Sequence, residues 1–150
     1  MIAAPFSREP AIPRPALFAA SAALLPFAAG AIAAWLFGLF IAQAAMVCAV
    51  IGYAAAVLSF ASGARFGAGE LRGAGDVLMT IAPPLAAWVA LALPVLAGVS
   101  TAIAAFLLGA LWAVLSAERG IIPLWTGKLA SLVAAGAVLS FFAILLRLLV

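Results

Sequence analysis

The feature that most constrains this chain is the distribution of its charged residues. No Asp, Glu, Lys or Arg occurs in three long runs, which are the 50 residues Pro15–Ala64, the 41 residues Val77–Ala117 and the 18 residues Leu129–Leu146. A membrane-spanning helix needs about 20 apolar residues at about 1.5 Å each. The first two runs are therefore each long enough for two spans, and the third is long enough for one.

The composition agrees with a membrane environment. Hydrophobic residues make up 70% of the chain, charged residues make up 7%, and the mean hydropathy is +1.41. A soluble domain averages about 45–50% apolar and about 25% charged residues. Because the runs are continuously apolar and do not alternate, they indicate helices and not the strands of a β-barrel.

We therefore predict an all-α integral membrane bundle of five transmembrane helices over residues 16–150, preceded by a mobile Pro-rich N-terminal arm over residues 1–15. The predicted helices are Ala16–Phe37, Ala42–Ala64, Val77–Ala97, Thr101–Ser116 and Pro123–Leu146. The breaks within the two long runs are expected near Gly38–Ala42 and Gly98–Ser100, and Pro94 is expected to kink the third helix. Four spans with a re-entrant segment near Pro83 and Pro84 remain an alternative.

The positions of the basic residues predict the orientation of the helices. With a cytoplasmic N-terminus and five spans, one side of the membrane carries Arg8, Arg14, Arg65, Arg72, Arg119 and Lys128. The other side carries only Arg147. Lys and Arg concentrate on the cytoplasmic side of membrane proteins, so we expect the N-terminus in the cytoplasm and the C-terminus in the periplasm. Basic residues scattered over the loops in this way do not indicate a nucleic-acid partner.

Missing residue types exclude several kinds of site. The sequence contains no His, which removes the commonest ligand of zinc and haem and the usual proton carrier near neutral pH. Cys48 is its only cysteine, so neither an internal disulfide nor a four-cysteine iron–sulfur cluster can form. A nucleophilic serine would need a base beside it. We predict that the chain is not an enzyme, with no catalytic residues, no metal site and no cofactor.

Small residues at a spacing of four mark two predicted helices. The first stripe consists of Ala55, Ser59, Gly63 and Gly67, and the second consists of Thr101, Ala105, Gly109, Ala113 and Ala117. Small residues let helix backbones approach closely in a membrane, where lipid tails give helices no hydrophobic reason to associate. Each stripe predicts either a packing seam inside the bundle or a docking face for a partner, and the alanine-rich composition favours internal packing.

Charged residues at one set of loops form a candidate polar cluster. Its members are Arg65, Glu70, Arg72, Asp76, Glu118 and Lys128, of which four lie in the glycine-rich segment 63–76. One interpretation is a flexible interfacial loop in which Arg65 extends to the lipid headgroups. The other is an ion-pair cluster in which Arg65 meets Glu70, Asp76 or Glu118 and holds an anionic headgroup.

Several motifs resemble domain-of-unknown-function family 3429, the transmembrane protein 69 family. They are Tyr53 with Ser59-Phe60 and the segment 63–67, Pro26-Phe27, Thr80 through Pro83 to Trp88, and Pro123 with Trp125 and Lys128. The resemblance implies a multi-pass protein of the bacterial cytoplasmic membrane, or of the mitochondrial inner membrane in a eukaryote. It implies no reaction, substrate or cofactor, because the family has no assigned activity.

Two functions remain open. The first is an accessory, assembly or scaffold subunit of a larger energy-transducing complex, respiratory or photosynthetic, which predicts a filled bundle with an outward small-residue face. The second is a small carrier or binder of a lipid, a quinone or another apolar ligand with an anionic or polar head. A carrier predicts a cavity that is lined by Arg65 and kinked helices. Membrane lipids are expected partners in both cases.

Overall fold

The computed structural model describes residues 11–36, 40–67, 69 and 73–150. The helices are α1 Arg14–Leu36, α2 Phe40–Gly67, α3 Ala74–Ala90, α4 Val95–Glu118 and α5 Leu124–Leu149. No strand occurs in this part of the chain. The predicted all-helical architecture with five helices is confirmed.

Four of the helices are long and apolar enough to cross a membrane. They are α1, the Gln43–Gly67 part of α2, α4 and α5. The remaining helix, α3, has 17 residues and extends about 26 Å at 1.5 Å per residue, less than the about 30 Å of a bilayer core. These lengths indicate a membrane protein. Because α3 is short for a span, the fifth span stays a prediction, as does the re-entrant alternative. Pro83 and Pro84 lie buried in the middle of α3.

The charged side chains of the described residues lie at the two ends of the bundle. One end, here called the charged end, contains Arg14, Arg65, Asp76, Glu118, Arg119 and Lys128. Arg147 lies at the opposite end, where its guanidinium is 5.9 Å from the ring centre of Trp35. This separation is the one that the orientation argument requires. Which end faces the cytoplasm stays a prediction.

Aromatic side chains fill the middle of the bundle. The ring of Phe27 in α1 is fully buried, and its centre lies 5.1 Å from Tyr53, 5.5 Å from Phe106 and 5.7 Å from Phe141. These edge-on contacts join α1 to α2, α4 and α5, and such pairs are favourable beyond the area that they bury. The centre of the bundle is therefore a packed core.

The turn between α3 and α4 corrects the predicted break near Gly98–Ser100. α3 ends at Ala90, and α4 begins after Pro94, which takes an extended conformation with φ −52° and ψ 145°. Proline has no N–H and disfavours helical geometry in the residue before it. Pro94 therefore ends the third helix where a kink was expected. The predicted bounds Val77–Ala97 and Thr101–Ser116 are accordingly wrong at this turn.

Gly98 lies in the first helical turns of α4, where it permits a close approach between helices. A Cβ at this position would lie 2.6 Å from the carbonyl oxygen of Ala90 and 3.3 Å from the end of the Ile51 side chain. Real Cβ atoms essentially never come that close to a backbone oxygen. Gly98 therefore marks a tight contact with the end of α3 and not the break between the two helices.

The first predicted break and most of the N-terminal arm fall largely outside the described residues. α1 ends at Leu36 and α2 begins at Phe40, so Gly38 is not described, whereas Ala42 already belongs to α2. α1 begins at Arg14, two residues before the predicted start. Residues 1–10 of the predicted arm are also not described, so the mobility of the arm stays a prediction.

The small-residue stripe of α4 packs inside the bundle. A Cβ on Gly109 would lie 3.4 Å from Leu58 of α2 and 3.5 Å from Pro83 of α3. Farther along α4, the methyl group of Ala117 would lie 2.9 Å from a Cβ on Gly127 of α5. Small residues at these contacts let α4 approach three helices closely. This stripe is an internal seam, as the composition favoured.

Gly98→Ala should lower the free energy of unfolding by about 1–3 kcal/mol, because the added methyl group overpacks the contact with Ala90. Gly63→Ala is the matched control, since a Cβ there meets no heavy atom of the described chain within 4 Å. The control should leave stability unchanged or raise it by up to about 1 kcal/mol. Thermal unfolding of both variants in one detergent provides the comparison, and equal stabilities would contradict the contact.

Candidate functional site

Arg65 lies in the last turn of α2 and contacts α4 at the charged end. Its Nη2 donates a hydrogen bond to the Ser116 hydroxyl at 3.0 Å, and Ser116 is fully buried. The Arg65 guanidinium carbon also lies 5.9 Å from the centre of the Trp112 ring. The side chain is half-buried. Arg65 therefore joins α2 to α4, whereas its extension to lipid headgroups stays a prediction.

Trp112 is the centre of this arrangement. It is 7% exposed, and its Nε1 donates a long hydrogen bond of 3.4 Å to the Thr80 hydroxyl of α3. The guanidinium of Arg119, at the end of α4, lies 5.6 Å from the centre of the same ring. Cations over an indole ring are attracted by its quadrupole. The ring of Trp112 thus contacts two positive charges at the charged end.

A proline explains the second polar contact between helices. Pro84 has no N–H, so the Thr80 carbonyl four residues earlier in α3 receives no helical hydrogen bond from it. The Ser62 hydroxyl of α2 donates to that carbonyl oxygen at 2.7 Å. Hydroxyl groups of neighbouring helices commonly satisfy backbone groups that proline frees inside membranes. Ser62 therefore supplies the hydrogen bond that α3 lacks.

Tyr53 and Ser59 are also satisfied by contacts between helices, as expected for polar residues within a membrane bundle. The Tyr53 hydroxyl donates to the Ala23 carbonyl of α1 at 3.1 Å, next to the carbonyl that Pro26 frees. The Trp88 indole of α3 donates to the Ser59 hydroxyl at 3.2 Å. These bonds fix α2 against both neighbours.

The structure divides the predicted polar cluster between two sides of α4. Trp112, Ser116 and Arg119 recur at intervals of four and three, so they share one side of the helix, which faces Arg65. Glu118 faces the other side and lines a groove that also contains Lys128 of α5. Asp76 lies in the first turn of α3. Glu70 and Arg72 are outside the described residues, so the pairing of Arg65 with Glu70 stays a prediction, as does its pairing with Asp76.

Sequence reasoning missed two partners of Arg65, which are Ser116 and Trp112. Ser116 lies 51 residues away on another helix, so no local motif joins the two. The signal that could have found it is the i, i+4, i+7 spacing of Trp112, Ser116 and Arg119, which places two polar groups and an indole on one helical face near the end of α4.

The small-residue face of α2 is packed along only part of its length. Ala55 is fully buried, and Ser59 receives the Trp88 hydrogen bond. Gly63 and Gly67 are exposed, and a Cβ on either would meet no heavy atom of the described residues within 4 Å. The predicted face therefore consists of an internal half and an outward half.

Two open grooves lie on the outside of the bundle. One has a volume of about 370 Å³ between α1 and α2, and its lining includes Pro26 and Tyr53. The other, of about 590 Å³, lies between α4 and α5 at the charged end. Arg65 lines neither groove. Within the described residues, no group of three His, Cys, Asp or Glu side chains could hold a metal ion.

No protein-family model, curated protein or solved structure matches this chain. The resemblance to domain-of-unknown-function family 3429 therefore stays a prediction.

Ser62→Ala should lower the free energy of unfolding by about 1–3 kcal/mol, because it leaves the Thr80 carbonyl without its donor. Pro84→Ala restores an N–H that can reach the same carbonyl, so Ser62→Ala should cost less in the Pro84→Ala background. Unfolding of the four proteins of this double-mutant cycle measures the coupling. Identical costs in the two backgrounds would contradict the exchange of donors.

Arg65→Ala should destabilise the bundle by about 1.5–3 kcal/mol, which is the usual contribution of a hydrogen bond to a charged group. Arg65→Lys should cost less, because an ammonium can still donate to Ser116 but does not stack as a planar guanidinium does. Thermal unfolding with and without Ser116→Ala tests the contact. If Ser116→Ala costs as much in the Arg65→Ala background as in the wild-type protein, the contact does not stabilise the fold.

Proposed function

We propose that this protein is a non-catalytic accessory, assembly or scaffold subunit that binds a helix of a larger membrane protein through the outer face of α2. The observation that carries this proposal is the exposed, unpacked helix surface at Gly63 and Gly67, here called the open step. These glycines remove side chains from a helix surface on which no helix of the described chain packs.

The physics of helix association supports a partner at this step. In lipid, helices gain little by hiding apolar side chains, and they associate where small residues allow close backbone contact. A glycine in a helix costs up to about 1 kcal/mol relative to alanine. Elsewhere in the bundle, glycines such as Gly98 and Gly127 offset this cost by close contacts. Gly63 has no such contact within the described chain, and a partner helix would provide one.

Exposed aromatic side chains flank the open step. Phe60 is 80% exposed and Phe66 is 41% exposed, and both lie on α2 within three residues of Gly63. A partner helix that lies across the glycines would pack between these rings. The contact area is thus provided by one short segment at the charged end of α2.

The filled interior favours a subunit over a carrier. The buried rings of Phe27, Phe106 and Phe141 occupy the centre of the bundle, and the grooves open outward. A carrier needs a cavity to which Arg65 contributes, whereas Arg65 is bonded to Ser116. The carrier or binder of a quinone or lipid therefore remains the alternative function, without an observation that favours it.

The proposed setting is the bacterial cytoplasmic membrane, or the mitochondrial inner membrane in a eukaryote, and the partner is a respiratory or photosynthetic complex. The proposed orientation has five spans with the N-terminus in the cytoplasm and the C-terminus in the periplasm. The distribution of basic residues supports the orientation. The resemblance to family 3429 supports the membrane.

Gly63→Leu should reduce stoichiometric co-purification of the partner from the native membrane by about tenfold or more, equivalent to about 1.4 kcal/mol, because the new side chain blocks helix approach. Its stability should stay near that of the wild type. Ala61→Leu, which places the same new side chain at an exposed residue on the opposite side of α2, is the control. Equal recovery of partner with both variants, after mild solubilisation, would refute the proposal.

A further inference from the structure

Arg147 lies at the end of the bundle opposite to the charged end. It belongs to the last turn of α5, and its guanidinium carbon is 5.9 Å from the centre of the Trp35 ring of α1. An indole ring has no acceptor oxygen, so this contact occupies none of the five N–H donors of a guanidinium. Within the part of the chain that the structure describes, Arg147 makes no hydrogen bond and no ion pair.

A hydrogen bond between helices holds the Trp35 ring beside Arg147. The Trp35 Nε1 donates to the Ala143 carbonyl oxygen of α5 at 3.1 Å. Ala143 lies four residues before Arg147, so the two residues share one side of α5. Trp35 is exposed, and exposed indoles near the ends of spanning helices commonly lie at the level of the lipid headgroups. Arg147 and Trp35, here called the Arg–Trp pair, are therefore positioned at a membrane surface.

The chain provides no counter-charge for Arg147. Of its four acidic residues, Asp76 and Glu118 lie at the charged end. Glu9 precedes the start of α1 by five residues and Glu70 follows the end of α2 by three, and both of these helix ends are also at the charged end. Five residues extend at most about 18 Å, whereas α1 alone is about 34 Å long. The counter-charge of Arg147 must therefore come from outside the chain.

We propose that the Arg–Trp pair binds the phosphate group of an anionic phospholipid, such as phosphatidylglycerol. The guanidinium donates two parallel hydrogen bonds to phosphate oxygens, which is the bidentate geometry that arginine favours. Leu36 and Leu149, the last residues of α1 and α5, are exposed and provide apolar surface for the acyl chains. The lipid is bound at the outer surface of the bundle and is not an enclosed cargo.

The absence of a carboxylate at this end selects an anionic headgroup over a zwitterionic one. Phosphatidylcholine has the same phosphate, but its ammonium group would meet no opposite charge of the chain and would lie close to the Arg147 guanidinium. Phosphatidylglycerol neutralises Arg147 without adding a positive charge. A free phosphate ester offers the same oxygens, but it would leave the apolar surface of Leu36 and Leu149 without a contact.

The lipid site is separate from the proposed docking face. The Arg–Trp pair joins α1 to α5, whereas Gly63 and Gly67 lie on α2 near the charged end. The lipid site therefore stands or fails independently of the proposed function.

Native mass spectrometry of the delipidated full chain in detergent tests the proposal. Phosphatidylglycerol and phosphatidylcholine with identical acyl chains are titrated separately, and the apparent Kd of the first adduct is measured. We expect phosphatidylglycerol to bind about fivefold more tightly, which is the usual effect of one basic residue beside an anionic lipid surface. Equal affinities, or tighter binding of phosphatidylcholine, would overturn the proposal.

A titration with glycerol 3-phosphate distinguishes a lipid from a free phosphate ester. This probe carries the phosphate without acyl chains, so we expect it to bind at least about tenfold more weakly than phosphatidylglycerol. If it binds as tightly as the lipid, the pair takes a free phosphate ester and the lipid proposal is overturned.

A charge variant assigns the preference to Arg147. Arg147→Gln should remove the difference between the two lipids. Arg14→Gln is the matched control, because it removes the same charge from an exposed residue at the charged end. A preference that survives Arg147→Gln, or that Arg14→Gln removes equally, would overturn the assignment.

A ring variant keeps the test decisive even if Arg147→Gln fails to fold. Trp35→Phe retains an aromatic ring but loses the hydrogen bond to Ala143, so the preference for phosphatidylglycerol should fall to about twofold. Trp88→Phe is the matched control, because Trp88 is also exposed and its Nε1 also donates to another helix. An unchanged preference in Trp35→Phe, or an equal loss in Trp88→Phe, would overturn the role of the Arg–Trp pair.

Discussion

A bilayer interior offers no hydrogen bonds, and this constraint governs how the polar atoms of the bundle are arranged. The carbonyl that Pro84 leaves without a donor is satisfied by Ser62 of another helix, and the buried Ser116 hydroxyl is satisfied by Arg65. Each of these bonds crosses between helices. The same few side chains therefore satisfy the buried polar groups and join α2 to α3 and α4.

Close packing of small residues is the second support of the fold. Gly98, Gly109 and Gly127 all stand where a Cβ would touch or overlap another helix, so each is explained by a contact within the chain. Gly63 is also a glycine within a small-residue stripe. A Cβ placed there would have no heavy atom of the described chain within 4 Å. The residues around Gly63 thus form a surface suited to close helix packing, but no second helix of the described chain packs on it. This unpacked surface is the basis for proposing a partner.

The sequence predicted the five helices because long charge-free runs have few alternatives, but it could not locate all their ends. The sequence places the second break near Gly98, whereas the constraint of Pro94 on its neighbours decides where α3 stops. The candidate site could likewise be predicted only in part. Arg65 could be identified from the sequence, but Ser116 and Trp112 could not be assigned to it, because these contacts depend on how α2 and α4 pack.

The central claim is that a filled bundle with an open step on α2 functions as part of a larger membrane assembly. Native mass spectrometry of the wild-type protein, mildly solubilised from its own membrane, tests this claim most directly because it resolves bound proteins and bound small molecules together. We predict a stoichiometric complex with a larger membrane protein. A monomer or small homo-oligomer with no other protein bound, whether or not it carries a quinone or a lipid, would contradict the claim.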